Sequence, residues 1–345
     1  GHFTEGRDRL RSLLEVVTDN SSTRVRALNG AANLAIDQGD HEEAERLLEE
    51  SLASCRSMNY GTGEGMAALY LARSRVASMR AAEAVPYLEQ AMASLRQAHD
   101  EPGMALCLMF SGLAAQFTEQ PQLACDRFNE CIRMATELRI DSLAARASQL
   151  LGIVRLDMGE LAPARTALEQ GLPVALELGD RFVVPIGLGG FASLAARTGK
   201  PRQAVRLAGA AAAYSETNHF SVPAVMQALL DRALAPVRKT LGVGAANLFA
   251  EGRRMKVEEA VASALANEPE EAWRPGPRRT LTRREVEVAA LVAGGLTNRE
   301  IAGRLHLSVR TVDVHVDHIL TKLAFHTRTQ LAAWAYEQDL LPRNT

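Results

Sequence analysis

Shifted against itself by 40 residues, the first two-thirds of the chain realigns in its apolar and small positions. Ala44, Ala84, Ala124, Ala164 and Ala204 recur as alanine, and Ala32, Ala72, Gly112, Gly152 and Ala192 recur as small residues. Large apolar residues recur too, at Leu48, Leu88, Phe128 and Leu168. Turn positions fall at Gly39, Met79, Glu119, Gly159 and Gly199, and a second set near Asn59, His99, Arg139, Gly179 and His219. Each period therefore predicts two helices of four to five turns joined by short turns. The small residues let paired helices approach, so that the large ones interlock. No such unit buries its apolar face alone, and stacking builds one continuous core.

Gly1, Gly6 and Leu10 match Gly39, Ala44 and Leu48 at an offset of 38, which makes residues 4–17 the second helix of a unit whose first helix is missing. A solenoid that starts on half a repeat exposes an apolar face. The expectation is that this chain is the C-terminal piece of a longer protein, in keeping with its start at Gly1-His2-Phe3. After residue 221 the period fails. Residues 223–241, 244–252 and 256–266 still read helical, with Val257, Val261 and Leu265 on one stripe, and are expected to cap the array. Residues 267–280 hold Pro269, Pro275, Gly276 and Pro277 around Trp273, a linker signature. The domain plan is thus a solenoid at 1–221, a helical cap at 222–266, a linker at 267–280 and a separate domain at 281–340.

That last domain carries four helix starts. Thr282 with Glu285 and Thr297 with Glu300 read as capping boxes, Ser308 as an N-cap, and Thr327 with Gln330 as a fourth start. Gly294-Gly295 ends the first helix. Helices are predicted near 283–293, 298–304, 309–322 and 328–338. The second and third, joined by about four residues, form a helix-turn-helix. On a helical wheel Val312, Val316, Ile319 and Leu323 of the third helix share a core stripe. Arg310, Val314, Asp317 and Thr321 fall opposite, flanked by Asp313 and His318. A valine on such a face gains nothing in the free protein. In a major groove it meets a thymine methyl, and Arg310 pairs with guanine or phosphate. Asp313 and Asp317 suit cytosine N4 or repel wrong sequences.

Composition adds little against this picture. Hydrophobic residues make up 47% and charged residues 23% of 345, as in a soluble globular protein. No apolar run is long enough for a membrane span. Cys55, Cys107, Cys125 and Cys131 form no CxxC pair, so buried thiols and a cytoplasmic setting are expected, without metal or cofactor. Residues 278–345 carry a mild positive excess, while the whole chain is at −2. No Ser/His/Asp set, metal cluster or phosphate loop has credible spacing, so no enzyme is expected. The helical repeats also leave no place for an α/β receiver or autoinducer-binding domain.

The repeats resemble a tetratricopeptide (TPR) array, with a period of 40 in place of about 34; a generic α-solenoid is the rival. The run LTRREVEVAALVAGGLTNREIAGRLHLSVRTVDVHVDHILTKL resembles the LuxR/FixJ-type helix-turn-helix, matching it at Thr282, Glu285, Gly295, Asn298, Glu300, Ile301, Ser308, Thr311, Val312, His315, Ile319 and Lys322. Departures include Asp313 for a frequent Glu or Lys and Ala324 for Gly. The resemblance implies that Arg310, Asp313, Val314 and Asp317 face bases. It also implies that Thr297, Asn298, Thr311, Lys322, Thr327 and Arg328 hold the DNA backbone, and that Leu331, Trp334 and Ala335 form a dimer contact. Solenoid and domain together are similar to the C-terminal part of large STAND-type ATPase regulators, including a pre-linker-like segment at 250–265. The expected protein is an all-α transcriptional regulator that binds promoter DNA as a homodimer, under control of a ligand or partner protein on the solenoid. The alternative is a TPR scaffold whose last domain does not bind DNA, a reading supported by the acidic pair Asp313 and Asp317.

Overall fold

Every 20 residues the first unit turns a corner through a left-handed residue, and those corners set its architecture. The computed structural model describes residues 2–218, 224–242, 244–266, 281–323, 327–337 and 340. The corner residues Gly39, Asn59, Met79, His99, Glu119, Arg139, Gly159, Gly179 and Gly199 all have φ between 53° and 81°. The residue after each corner donates its N–H back to the carbonyl five positions earlier, as Asp40 does to Ala35 at 2.9 Å and Gln120 to Ala115 at 2.9 Å. This is the Schellman closure, which satisfies carbonyls that a helix end leaves open.

Between corners run α1 (His2–Val16), α2 (Ser22–Asp37), α3 (His41–Met58), α4 (Gly61–Ala77), α5 (Ala81–Gln97) and α6 (Glu101–Phe117). They continue with α7 (Pro121–Glu137), α8 (Asp141–Asp157), α9 (Leu161–Glu177), α10 (Val183–Arg197) and α11 (Pro201–Thr217). Consecutive helices pack antiparallel as a solenoid of hairpins, with α1 packed on α2 through Leu10 and Leu14. The predicted interlock is present. Ala44, Ala84, Ala124, Ala164 and Ala204 are fully buried, as are Leu48, Phe128 and Leu168. A Cβ on Gly112 would lie 2.7 Å from the Phe128 ring, and one on Gly152 2.6 Å from Leu168. At both places the glycine leaves the space that the large side chain fills.

Beyond α11 come α12 (Ala224–Leu241), α13 (Gly244–Arg254) and α14 (Val257–Leu265). Leu234, Val237, Leu248, Val261 and Ala264 join the core of α9–α11. α13 crosses α11 backbone to backbone: a Cβ on Gly252 would sit 2.0 Å from the Arg206 carbonyl oxygen, and one on Gly209 2.2 Å from that of Phe249. The sequence did not flag this glycine pair. The proline-rich stretch with Trp273, and His219, lie outside the described residues. No helix among the described residues is long and apolar enough to cross a membrane. The four cysteines are buried and unpaired, and burial pushes the Cys107 thiol up to about 11.

The second unit holds α15 (Arg283–Ala293), α16 (Asn298–Leu305), α17 (Val309–Leu323) and α18 (Arg328–Glu337), close to the predicted bounds. Val288, Val292, Ile301, Val312, Ile319 and Leu331 meet in its core. One charged pair is built into that core. The Glu285 carboxylate, 4% exposed, accepts from Lys322 Nζ at 2.6 Å and from the Thr282 N–H at 2.6 Å. Burial alone would favour the neutral acid. The Lys322 ammonium and the Thr282 donors outweigh it and hold the carboxyl below the ordinary 4.5. A single residue thus closes the N-terminus of α15 and ties it to the last turn of α17.

Two predictions follow from this packing. Gly112→Ala should cost roughly 1–3 kcal/mol by overpacking, and Phe128→Leu about 1–2 kcal/mol by the gap it leaves. The double variant should be more stable than Gly112→Ala alone, because the preceding unit already carries Ala72 and Leu88 at these positions. Thermal unfolding followed by circular dichroism gives the cycle, and additive costs would contradict the interlock. In the second unit, Lys322→Met should cost on the order of 3 kcal/mol, the low end for a buried pair because Lys322 keeps a quarter of its surface. Since the folded Glu285 pKa is lowered, its contribution is complete above pH 4.5 and is lost as pH falls through the lower folded value. Tryptophan emission follows this unit through Trp334, which packs against its core, and neither tryptophan lies in the solenoid. Acid unfolding that does not differ between wild type and Lys322→Met would contradict the pair's role.

Candidate nucleic-acid interface

α17 is presented outward by what it buries. Val312, Val316 and Ile319 sit in the domain core at 0–6% exposure, which fixes the rotation of the helix. The opposite face then carries Arg310, Asp313, Val314, Asp317 and His318 in solvent, as the wheel requires. Val314 is 46% exposed, and Val309 at the first helical position, which the sequence did not flag, is 43% exposed. The turn before α17 is His306, in a left-handed conformation at φ 52°, then Leu307 and Ser308. Ser308 Oγ accepts from the Thr311 N–H at 3.0 Å and shares a 2.7 Å hydrogen bond with the Thr311 hydroxyl. This cap starts α17 where the apolar stripe needs it to start.

The other caps are formed as expected. Thr297 Oγ1 accepts from the Glu300 N–H at 3.4 Å, while the Thr297 N–H donates to Glu300 Oε2 at 2.7 Å. Thr327 and Gln330 exchange the same pair of bonds at 3.3 and 3.0 Å. Three of the residues expected to hold DNA backbone, Thr297, Thr311 and Thr327, thus already close helix ends, and each is at a place where an anion is favoured by the helix dipole.

Asn298, Asp313 and Arg328 form one network across three helices. Asn298 Nδ2 donates to Asp313 Oδ1 at 2.7 Å, and Arg328 Nη1 donates to Asn298 Oδ1 at 2.6 Å. Arg328 also donates to the Leu296 carbonyl. The network orients Asp313 from the side and leaves its second carboxylate oxygen for another donor. It also turns Arg328 inward: the guanidinium is half-buried, and burial lowers its pKa.

Two sequence expectations need correction. Lys322 does not face outward to phosphate; its ammonium is spent on the buried Glu285 carboxylate, 37 residues earlier. Leu331 and Ala335 are not open to a second copy, since both are fully buried in the domain core. Of the proposed dimer residues only Trp334 keeps exposed surface, and it is half-buried. Conversely, Arg299 and Arg304 on α16 were not singled out. Both are exposed, and neither they nor Arg310 has a carboxylate partner among the described residues. Arg304 and Arg310 flank the turn, so the cations nearest the exposed face come from both helices of the motif. The signal was present as arginines on the polar face of a short amphipathic helix, but such residues are ordinarily solvated charges.

Comparison with known proteins agrees with this geometry. Residues 279–335 match the family model described as bacterial regulatory proteins, luxR family. A segment of 172 residues is 33% identical to the Mycobacterium tuberculosis protein named "Putative HTH-type transcriptional regulator Rv0890c", covering 49% of this chain and 18% of that protein. The transcriptional regulatory protein LiaR of Bacillus subtilis is 40% identical over 86 residues, 25% of this chain and 39% of LiaR. The response regulator protein VraR of Staphylococcus aureus is 43% identical over 61 residues, 18% of this chain and 29% of VraR. The chain spans well under half the length of each of these relatives. Its C-terminal unit, with two capped helices around a short turn and an outward polar face on the second, is a luxR-family helix-turn-helix domain.

Proposed function

We propose that the chain is a sequence-specific DNA-binding transcriptional regulator in which α17 enters the major groove of promoter DNA, the molecule binds as a homodimer, and the solenoid receives a ligand or partner protein. The observation that carries the DNA part is the outward face of α17, held in one rotation by Val312, Val316 and Ile319 and aligned by the Ser308 cap. The luxR-family domain and the regulator names of its relatives support the same reading.

In this reading Arg310 pairs with a base or a phosphate at the groove edge, Val314 meets a thymine methyl, and Asp313 and Asp317 accept from cytosine N4. Asp313 is already aimed by Asn298, which costs less ordering on binding than a free side chain would. Arg299 and Arg304 replace Lys322 as the phosphate cations. Thr297, Thr311 and Thr327 hold helix ends near the strand, and Asn298 and Arg328 brace them. The exposed acids Asp313 and Asp317 also leave an interaction scaffold as the second reading, and the same experiment separates the two.

Duplexes selected from a random pool are titrated against the 345-residue chain at about 50 and 200 mM salt, where counterion release should weaken binding steeply. Arg310→Ala should flatten the preference among sequences by roughly 1–3 kcal/mol at one position. Arg304→Ala should weaken all sequences alike and lower the salt slope by about 1. If the two variants behave identically, the division of roles is wrong. If no duplex binds even at the lower salt, the scaffold reading stands in its place.

A further inference from the structure

The solenoid contains a cavity of about 610 Å³ lined by the first helices of successive hairpins. Asn33 and Asp37 come from α2, Tyr70 and Arg73 from α4, Phe110 from α6, Arg146 and Gln149 from α8, and Arg181 and Phe182 from the approach to α10. Residues 150 positions apart thus share one wall. The volume is that of a small-molecule site.

Its chemistry is specific. The lining holds three guanidiniums, Arg73, Arg146 and Arg181, and one carboxylate, Asp37. Arg73 already donates to Asn33 and Asp37. Arg146 and Arg181 stand 5.9 and 5.2 Å from the centroid of the same Phe182 ring. Arg146 also reaches Asp180 at 3.2 Å, but Asp180 is shared with the Phe182 and Val183 N–H groups that it caps. Two cations gathered around one aromatic ring make a site for an anion, because guanidinium forks match carboxylate and phosphate oxygens. The remaining wall is apolar, with Met109 and Leu150 buried beside Phe110. Gln149 closes the wall between α8 and α9: it is 1% exposed, and its Nε2 donates to the Leu168 carbonyl.

We propose that this cavity binds a small organic acid with an aromatic or aliphatic body. The acid group lies on Arg146 and Arg181, and the body against Met109, Phe110 and Leu150. This deepens the reading of the solenoid as the sensing part and rests on it for its regulatory meaning, though not for the binding itself.

Three probes separate the contributions: indole-3-acetate and 1-naphthaleneacetate share the acid on different aromatic bodies, and indole-3-acetamide lacks the charge. Titration calorimetry on the full chain should show both acids binding, with the amide at least about tenfold weaker than indole-3-acetate. Arg146→Gln with Arg181→Gln should weaken both acids by about tenfold or more and bring them level with the amide, at unchanged melting temperature. Arg133→Gln, on the outer helix α7, should change nothing. Indole-3-phosphate-type esters need not be assumed: 1-naphthyl phosphate in place of 1-naphthaleneacetate tells which headgroup is preferred, and tighter binding of either supports the site. The proposal is overturned if neither acid binds at millimolar concentration, if the amide binds as well as the acid, or if the double variant binds like wild type. Duplex binding is scored in parallel. Acid binding that leaves duplex affinity unchanged keeps the site and removes the sensing reading. Duplex binding without acid binding keeps the DNA reading and removes the site.

Discussion

None of these helices can bury its apolar stripe alone, and both units are answers to that constraint. A helix of 17 residues draws most of its stability in a protein from what packs against its apolar face. In the solenoid the answer is repetition. Each hairpin covers its neighbour, the left-handed corners recur every 20 residues, and small residues face large ones so that the helices stay close. In the C-terminal unit the answer is a small core that takes the inner stripe of α17 and the end of that helix around Leu320 and Lys322. The polar face is left over because the core has no room for it. The candidate DNA-reading face is therefore a consequence of packing.

Two polar contacts tie the helices of the same core to one another. Glu285 joins the start of α15 to the end of α17 through Lys322, and Asn298 joins α16, α17 and α18 through Asp313 and Arg328. Both are polar contacts at the rim of an apolar cluster, where a partner is required once water is excluded. They fix the angle at which α17 is offered. Among the described residues, Arg299, Arg304 and Arg310 stay exposed and have no structural task of this kind.

What the sequence made legible was local or periodic. The corner positions could be read because αL residues and short turns recur at fixed spacing. The caps at Thr282, Thr297, Ser308 and Thr327 could be read because a capping side chain acts within three residues of itself. Rotation of α17 followed from Val312, Val316 and Ile319. What escaped was distant pairing. Lys322 has a side chain equally able to reach a phosphate or a buried carboxylate 37 residues away, and only the fold chooses. Leu331 and Ala335 could serve a dimer or a core until the core was seen to need them. Gly209 and Gly252 are ordinary small residues until two backbones cross at them. The cluster of Arg146, Arg181 and Phe182 with Gln149 has no sequence spacing to announce it, since α2 and α10 share a cavity wall only after the hairpins have stacked.

The central claim is that the face of α17 around Val314 enters a DNA groove. Because all four native cysteines are buried and burial raises their thiol pKa values, a single cysteine at an exposed position takes a label selectively. Val314→Cys carrying an iron–EDTA cleaving group, bound to a selected duplex, measures this directly. The account predicts cuts confined to a few base pairs on both strands at each half-site, placed across the major groove. Cuts spread evenly along the duplex, or absent while the protein is bound, would contradict it.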